Sequence, residues 1–254
     1  MFMKEIQLPE PIIERARLPI IYEGNRVEFA YPPIKGNHSD CFRAIKADTE
    51  LRVAKGVELA LLVHGAYTFK GGSDLWKSVR EDLGNYSLRV PVRTFWFPKG
   101  ILKDECLSGV LVEEDAEGLG WDSKMRLPDL TKWRQDEHGV YVSPNRGQRF
   151  IPKGKYKLGE HNAESFARDG LAITILSPKG AEIFARTAVD ANLIPNIKGY
   201  DVDSLSVNEG PQQRVFSLRK EGENFNVNGG SFGGNMNGND RAFAIFKSPT
   251  QATN

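Results

Sequence analysis

The stretch from Leu171 to Asn192 leaves this chain the fewest choices. Leu171 to Leu176 is an unbroken run of apolar and β-branched residues, with Ile173, Thr174 and Ile175 at its centre. Such a run reads as a buried strand. Ser177 then offers an N-cap, and Pro178 stands where the first helical residue belongs and needs no N–H. Ile183, Phe184, Thr187, Ala188 and Ala191 follow at helical spacing, and Asn192 and Pro195 close the segment. The pattern predicts a strand running into a capped helix, a βα unit over 171–192. A chain with that unit is neither all-α nor all-β.

The remaining elements read mostly as strands at hairpin spacing. Arg26 to Tyr31 alternates and stops at Pro32-Pro33, and Leu88 to Phe97 is closed by Pro98. Leu107 to Glu113, Val140 to Val142 and Arg241 to Phe246 add three more. Arg214 to Leu218 and Asn224 to Val227 flank Lys220-Glu221-Gly222, a hairpin signature. A helix starts after Ser73, with Leu75, Trp76, Val79 and Leu83 on one face and Gly84-Asn85 as its stop. Asn162 caps a third, short helix that ends at Gly170. Asp40 to Tyr67 stays ambiguous: Phe42, Ala44, Ile45 and Leu51 fit a helix, Gly56 interrupts, and Val57 to Val63 fits helix or strand equally. Together these patterns predict an α+β fold of mostly antiparallel sheet with a few helices.

Length and composition bound the rest. A chain of 254 residues can bury a sizeable core as one globular domain spanning 1–254, with a weak subdivision near 146–160. Trp121 to Gln135 and Arg146 to Gly159 are the candidate joints. Residues 221–240 carry six Asn and six Gly, which reads as a turn-rich surface loop. The longest apolar run, Leu59 to Val63, is far short of the roughly 20 residues that span a bilayer. Early charges and prolines (Lys4, Glu5, Pro9, Glu10, Pro11) break any signal-peptide core. Two cysteines, Cys41 and Cys106, then read as free thiols in a reducing compartment, so a cytoplasmic protein is expected.

Charge is neutral in sum, 34 Lys+Arg against 33 Asp+Glu, but it is segregated. Tyr86 to Lys103 holds Arg89, Arg93, Lys99 and Lys103 and no acid. Glu113 to Asp122 holds Glu113, Glu114, Asp115, Glu117 and Asp122 and no base. Arg146 to Lys157 holds Arg146, Arg149, Lys153, Lys155 and Lys157 and no acid. Cations interleaved with rings suit a polyanion, because cations neutralise phosphates and rings stack on bases. Arg93, Trp96, Lys99, Arg146, Arg149, Lys153 and Lys155 are therefore the candidates for nucleic-acid or anion contact. The plainer reading is structural: the acidic end of Leu107 to Glu113 lies beside the basic strand and the charges pair across it.

Catalytic signatures are sparse. His64 follows an apolar run and precedes Gly65, which suits a half-buried residue at a cleft. Asp201 and Asp203 share a face if their segment is a strand, and paired carboxylates can do acid–base work. His38-Ser39-Asp40-Cys41 puts a histidine near a thiol, though Ser39 or Asp40 as an N-cap explains it more simply. His138 and His161 show no ligand spacing, so no metal site is expected. The acidic cluster lacks the spacing of a calcium loop. The glycines of 221–240 match no phosphate-binding or dinucleotide fingerprint, and no cofactor is indicated. Ser177-Pro178-Lys179-Gly180 opens a helix whose free N–H groups could hold an anion.

Two functions survive. The first is a non-enzymatic binding protein contacting nucleic acid, another polyanion or a protein through the basic-aromatic segments. The second is a hydrolase or transferase acting on a small polar or phosphorylated substrate, using His64 with Asp201 or Asp203. The spatial relation of Arg93 to Arg149 separates them.

Overall fold

The computed structural model describes residues 15–69, 74–102, 107–114, 127–145, 147–231 and 240–248. In chain order they form β1 (Ala16–Tyr22), β2 (Asn25–Tyr31), β3 (Ile34–Lys35), α1 (His38–Ala47), β4 (Leu51–Val53), α2 (Gly56–Thr68), α3 (Asp74–Asn85), β5 (Leu88–Phe97) and β6 (Gly109–Glu114). There follow β7 (Arg134–Gln135), β8 (Tyr141–Val142), β9 (Gln148–Pro152), β10 (Gly159–Glu160), α4 (Ala163–Ala167), α5 (Gly170–Leu176) and α6 (Pro178–Asp190). The chain ends in β11 (Ile194–Lys198), β12 (Gln212–Glu221), β13 (Asn224–Ser231), β14 (Arg241–Ala242) and β15 (Ala244–Phe246). The fold is α+β. No described helix is long and apolar enough to cross a membrane.

Two sheets organise it. A small antiparallel sheet runs β1-β2-β15-β4. Its first hairpin turns at Glu23 and Gly24, both at positive φ, the conformation that matches strand twist in a two-residue loop. The large sheet runs β10-β11-β13-β12-β5-β6-β9-β8-β7, with β3 and β14 attached beside β5. Its pairs are antiparallel except β11 with β13 and β14 with β5.

All ten residues of β5 are buried, so both faces of the sheet are covered at its centre. The period of two then sorts the side chains. Leu88, Val90, Val92 and Trp96 face the core shared with α2, α5 and α6, while Phe95 and Phe97 join Leu102, Leu111 and Phe150 on the opposite face.

The predicted βα unit is corrected. Leu171–Leu176 is not a strand but the body of α5, so 171–192 is two consecutive helices. Asp169 decides this locally: its carboxylate accepts from the backbone N–H of Leu171 (2.9 Å) and Ala172 (3.2 Å), a helix cap. Every residue of α5 is buried. A helix with no wet face shows no 3.6 period, and its apolar run looks like a core strand. Ser177 turns the chain from α5 into α6 at φ 69°, ψ 162°, a region that side chains rarely adopt. Its Oγ caps Gly180 N–H at 3.2 Å, as the sequence indicated for the start of this helix.

The ambiguity over 57–63 resolves the same way. Leu59 to Val63 are all buried and lie in α2. Gly56 does not interrupt a helix but begins one, because its bare Cα packs against α5: a Cβ there would sit 2.0 Å from the Ile175 carbonyl oxygen. Asn37, rather than Ser39 or Asp40, caps α1 through Asp40 N–H at 2.9 Å.

Within the Gly/Asn stretch, the hairpin strand expected at Asn224–Val227 is present and runs on to Ser231, into residues expected to be loop. Asn224–Ser231 is strand β13, hydrogen-bonded between β11 and β12. Composition hid an alternation there. Phe225 packs on Phe184 with ring centroids 4.7 Å apart, while Asn226 is buried on the other face and accepts from Asn196 Nδ2 at 2.7 Å. Residues 232–239 lie outside the described residues. The stretch 146–159, read as a joint, contains β9, which pairs with β6 and β8.

Candidate functional site: a cleft beside His64

The basic and acidic segments meet as neighbouring strands. Arg93 lies opposite Glu113 in the β5–β6 register, and its Nε donates to Glu113 Oε2 at 2.7 Å. Both are almost fully buried, and Gln148 Nε2 donates to the second carboxylate oxygen at 2.7 Å. Arg149 donates to Glu114 at 2.9 Å. Cross-strand pairing, the plainer reading of the charge segregation, is what the structure shows for these residues. Trp96 is fully buried and donates its indole N–H to the Gly229 carbonyl at 3.2 Å. It is a core residue with no face free for stacking.

Arg93 and Arg149 lie on opposite faces of one sheet. Gln148 and Phe150 share a face with Glu113, Leu111 and hence Arg93, and Arg149 falls between them. Arg149 instead borders a cavity of about 270 Å³ with Lys55, Val90, Val92 and Ser177. The predicted basic-aromatic residues therefore form no common surface. Lys99 and Lys153 do come together, in an open depression of about 630 Å³ with Asp203 and an apolar floor of Leu107, Val202 and Leu205. There Lys153 contacts Asp203 and lies 3.6 Å from Asp201, so its charge is already matched. Lys155 is exposed, and its side chain runs past Gly139. Arg146, Cys106, Asp115, Glu117 and Asp122 lie outside the described residues.

His64 occupies a different place from Asp201 and Asp203. It lies on α2 where that helix packs against α6, half-buried, at the edge of a cleft of about 460 Å³. Its Nδ1 is 2.9 Å from Oγ1 of Thr187, a residue that is fully buried. Burial pushes the imidazole pKa below its usual value, against a smaller opposing pull from Asp190. The ring is therefore neutral near neutral pH. α4 contributes Ala163, Glu164 and Ala167 to the cleft, α6 contributes Lys179, Glu182, Ile183 and Arg186, and β1 contributes Tyr22.

The charges around the cleft partly cancel. Lys179 pairs with Glu182 at 3.1 Å, and Glu164 pairs with Arg168 at 3.0 Å. Arg186 has no ion pair among the described residues. The Tyr22 hydroxyl meets no partner at standard hydrogen-bond geometry among them, but burial and the neighbouring Glu23 and Glu182 carboxylates raise its pKa.

The other histidine and thiol candidates are structural. His38 is buried with Nε2 3.2 Å from the Val90 carbonyl, and the Cys41 thiol donates to the Ile34 carbonyl at 3.4 Å. Burial raises the Cys41 pKa to about 11, which removes it as a nucleophile. His161 Nε2 lies 2.9 Å from the Lys157 carbonyl, and His138 sits in the turn after Asp136. No group of three metal-ligating side chains converges among the described residues.

Sequence reasoning found His64 but missed Thr187, Tyr22 and Arg186. Thr187 carried a usable signal, a hydroxyl among the apolar positions of α6. Tyr22 and Arg186 carried none, because only the packing of β1 and α6 brings them to the cleft. Comparison with protein-family models, curated proteins and solved structures finds no match for this chain.

Proposed function

We propose that this chain is a binding protein for a small polar ligand, taken up in the cleft between α2, α4 and α6. The observation that carries this is one cavity of about 460 Å³ in which an apolar wall of Leu61, Ala163, Ala167 and Ile183 meets His64 and Arg186. An apolar concavity with a few convergent polar groups is the usual form of a small-molecule site. The hydrolase or transferase alternative draws less support: Asp201 and Asp203 flank Lys153 elsewhere, and no carboxylate hydrogen-bonds to His64 among the described residues. Nucleic-acid contact draws less still, with Arg93 and Arg149 paired on opposite sheet faces.

Ligand-observed NMR with a mixture of small carboxylic acids, phosphate esters and sugars tests this. Ala167→Phe fills the cleft from α4, the wall opposite His64 and Arg186, and leaves both of those side chains in place. Wild type is expected to hold at least one compound that Ala167→Phe releases, at unchanged melting temperature. If no compound distinguishes the two proteins, the reading is wrong.

A further inference from the structure

Thr187 decides what His64 offers to the cleft. A threonine hydroxyl has one hydrogen to give. Thr187 is 1% exposed, so water does not take that hydrogen. Its hydroxyl makes no side-chain hydrogen bond other than the one to His64 Nδ1 among the described residues. Were Thr187 to accept from Nδ1–H, its own hydrogen would be left buried and unpaired, which costs about 1–3 kcal/mol. The hydroxyl therefore donates, and Nδ1 is the acceptor. A neutral imidazole that accepts at Nδ1 carries its proton at Nε2.

We infer that the cleft is a receptor for an oxyanion, a carboxylate or phosphate group, held by the Nε2–H of His64 and the guanidinium of Arg186, with Tyr22 at its rim. The inference rests on the cleft being a ligand site and adds the chemistry of the ligand. Both groups present hydrogen-bond donors. Lys179 and Glu182 satisfy each other, as do Glu164 and Arg168, so Arg186 is the unmatched charge of the wall. Asp190 acts on His64 from the last turn of α6 but does not line the cavity. A base would need a lone pair where this ring has a hydrogen, so His64 in this setting recognises rather than deprotonates.

Two measurements test it. The nitrogen shifts of the His64 ring in the ligand-free protein report the tautomer directly. Nε2–H is expected in wild type, and a mixture of the two neutral forms in Thr187→Val. An Nδ1–H ring in wild type overturns the donor assignment whatever binds. Inorganic phosphate, acetate and tetramethylammonium are then titrated while the His64 and Tyr22 signals are followed. Phosphate or acetate is expected to shift both, with affinity lowered roughly tenfold or more in Arg186→Gln, the usual scale for losing a hydrogen bond to a charged group. A response to tetramethylammonium but not to the anions overturns the oxyanion class while leaving the cleft a binding site. No response to any of the three, together with no compound released by Ala167→Phe, overturns both.

Discussion

Removing Glu113 should destabilise the chain more than any surface charge change, because it takes a buried carboxylate away from the buried Arg93 guanidinium. The two side chains are 4% and 7% exposed. At 2.7 Å and an effective dielectric near 20, their direct attraction is roughly 6 kcal/mol. Desolvation of both ions offsets most of that, so the pair adds little net stability. Glu113→Ala removes the attraction and leaves the cost of the buried guanidinium, which puts the loss at about 3–5 kcal/mol. Gln148 also loses its acceptor. Replacing both partners, Arg93→Met with Glu113→Leu, should recover most of the loss. Urea unfolding of the two single variants and the double variant measures this. A loss below about 1 kcal/mol for Glu113→Ala is the value of an exposed pair, and would mean that Arg93 reaches solvent. Arg93 would then be available to an anion on that face of the sheet.

Gly56→Ala should destabilise by about 1–3 kcal/mol, since the new Cβ meets backbone at Ile175 and Leu176. Gly84→Ala, which meets nothing within 4 Å inside α3, should stabilise by about 0.5–1 kcal/mol; equal effects in denaturant unfolding would contradict the α2–α5 packing. His38 has its pKa lowered from 6.5 to about 4 by burial and by Arg89. The unfolded chain therefore takes up that proton first, and stability is full above pH 6.5 and falls by about 3 kcal/mol towards pH 4. His64 adds to the same trend. His38→Gln should flatten the stability curve over that window, and parallel curves would refute the assignment. In a Cys106→Ser background, Cys41 should react with a thiol reagent at pH 8 orders of magnitude more slowly when folded than in denaturant, because both access and the thiolate are suppressed.

Where a local rule acts through the backbone, the sequence was readable. Pro178 and Ser177 mark the start of α6, Asn162 caps α4 through Ser165 N–H, and Gly222 turns the β12–β13 hairpin at positive φ. The face of α3 carrying Trp76, Val79 and Leu83 was legible because its other face is wet. The misread strand, the open choice and the strand expected too short share one cause. α5, expected as a strand, and the centre of α2, left open between helix and strand, are buried all round, and β13, expected to end at Val227, alternates Asn with Phe, Val and Gly. In each the exposure contrast that reveals a period is absent or disguised by composition.

The candidate site divides in the same way. His64 could be picked out from its place beside Gly65 after an apolar run. Its partner Thr187, 123 positions away, could not. The charge segments were visible as a sum of segregated residues, but whether they pair is a question of strand register. Register places Arg93 against Glu113 and puts Arg149 on the other face, and a one-residue shift in pairing would have reversed both. The sequence by itself determined the class of fold, the caps and turns, and the identity of the chemical groups. Only the tertiary structure decided which groups meet, because contacts between distant segments follow from burial on two faces of a sheet rather than from any local pattern.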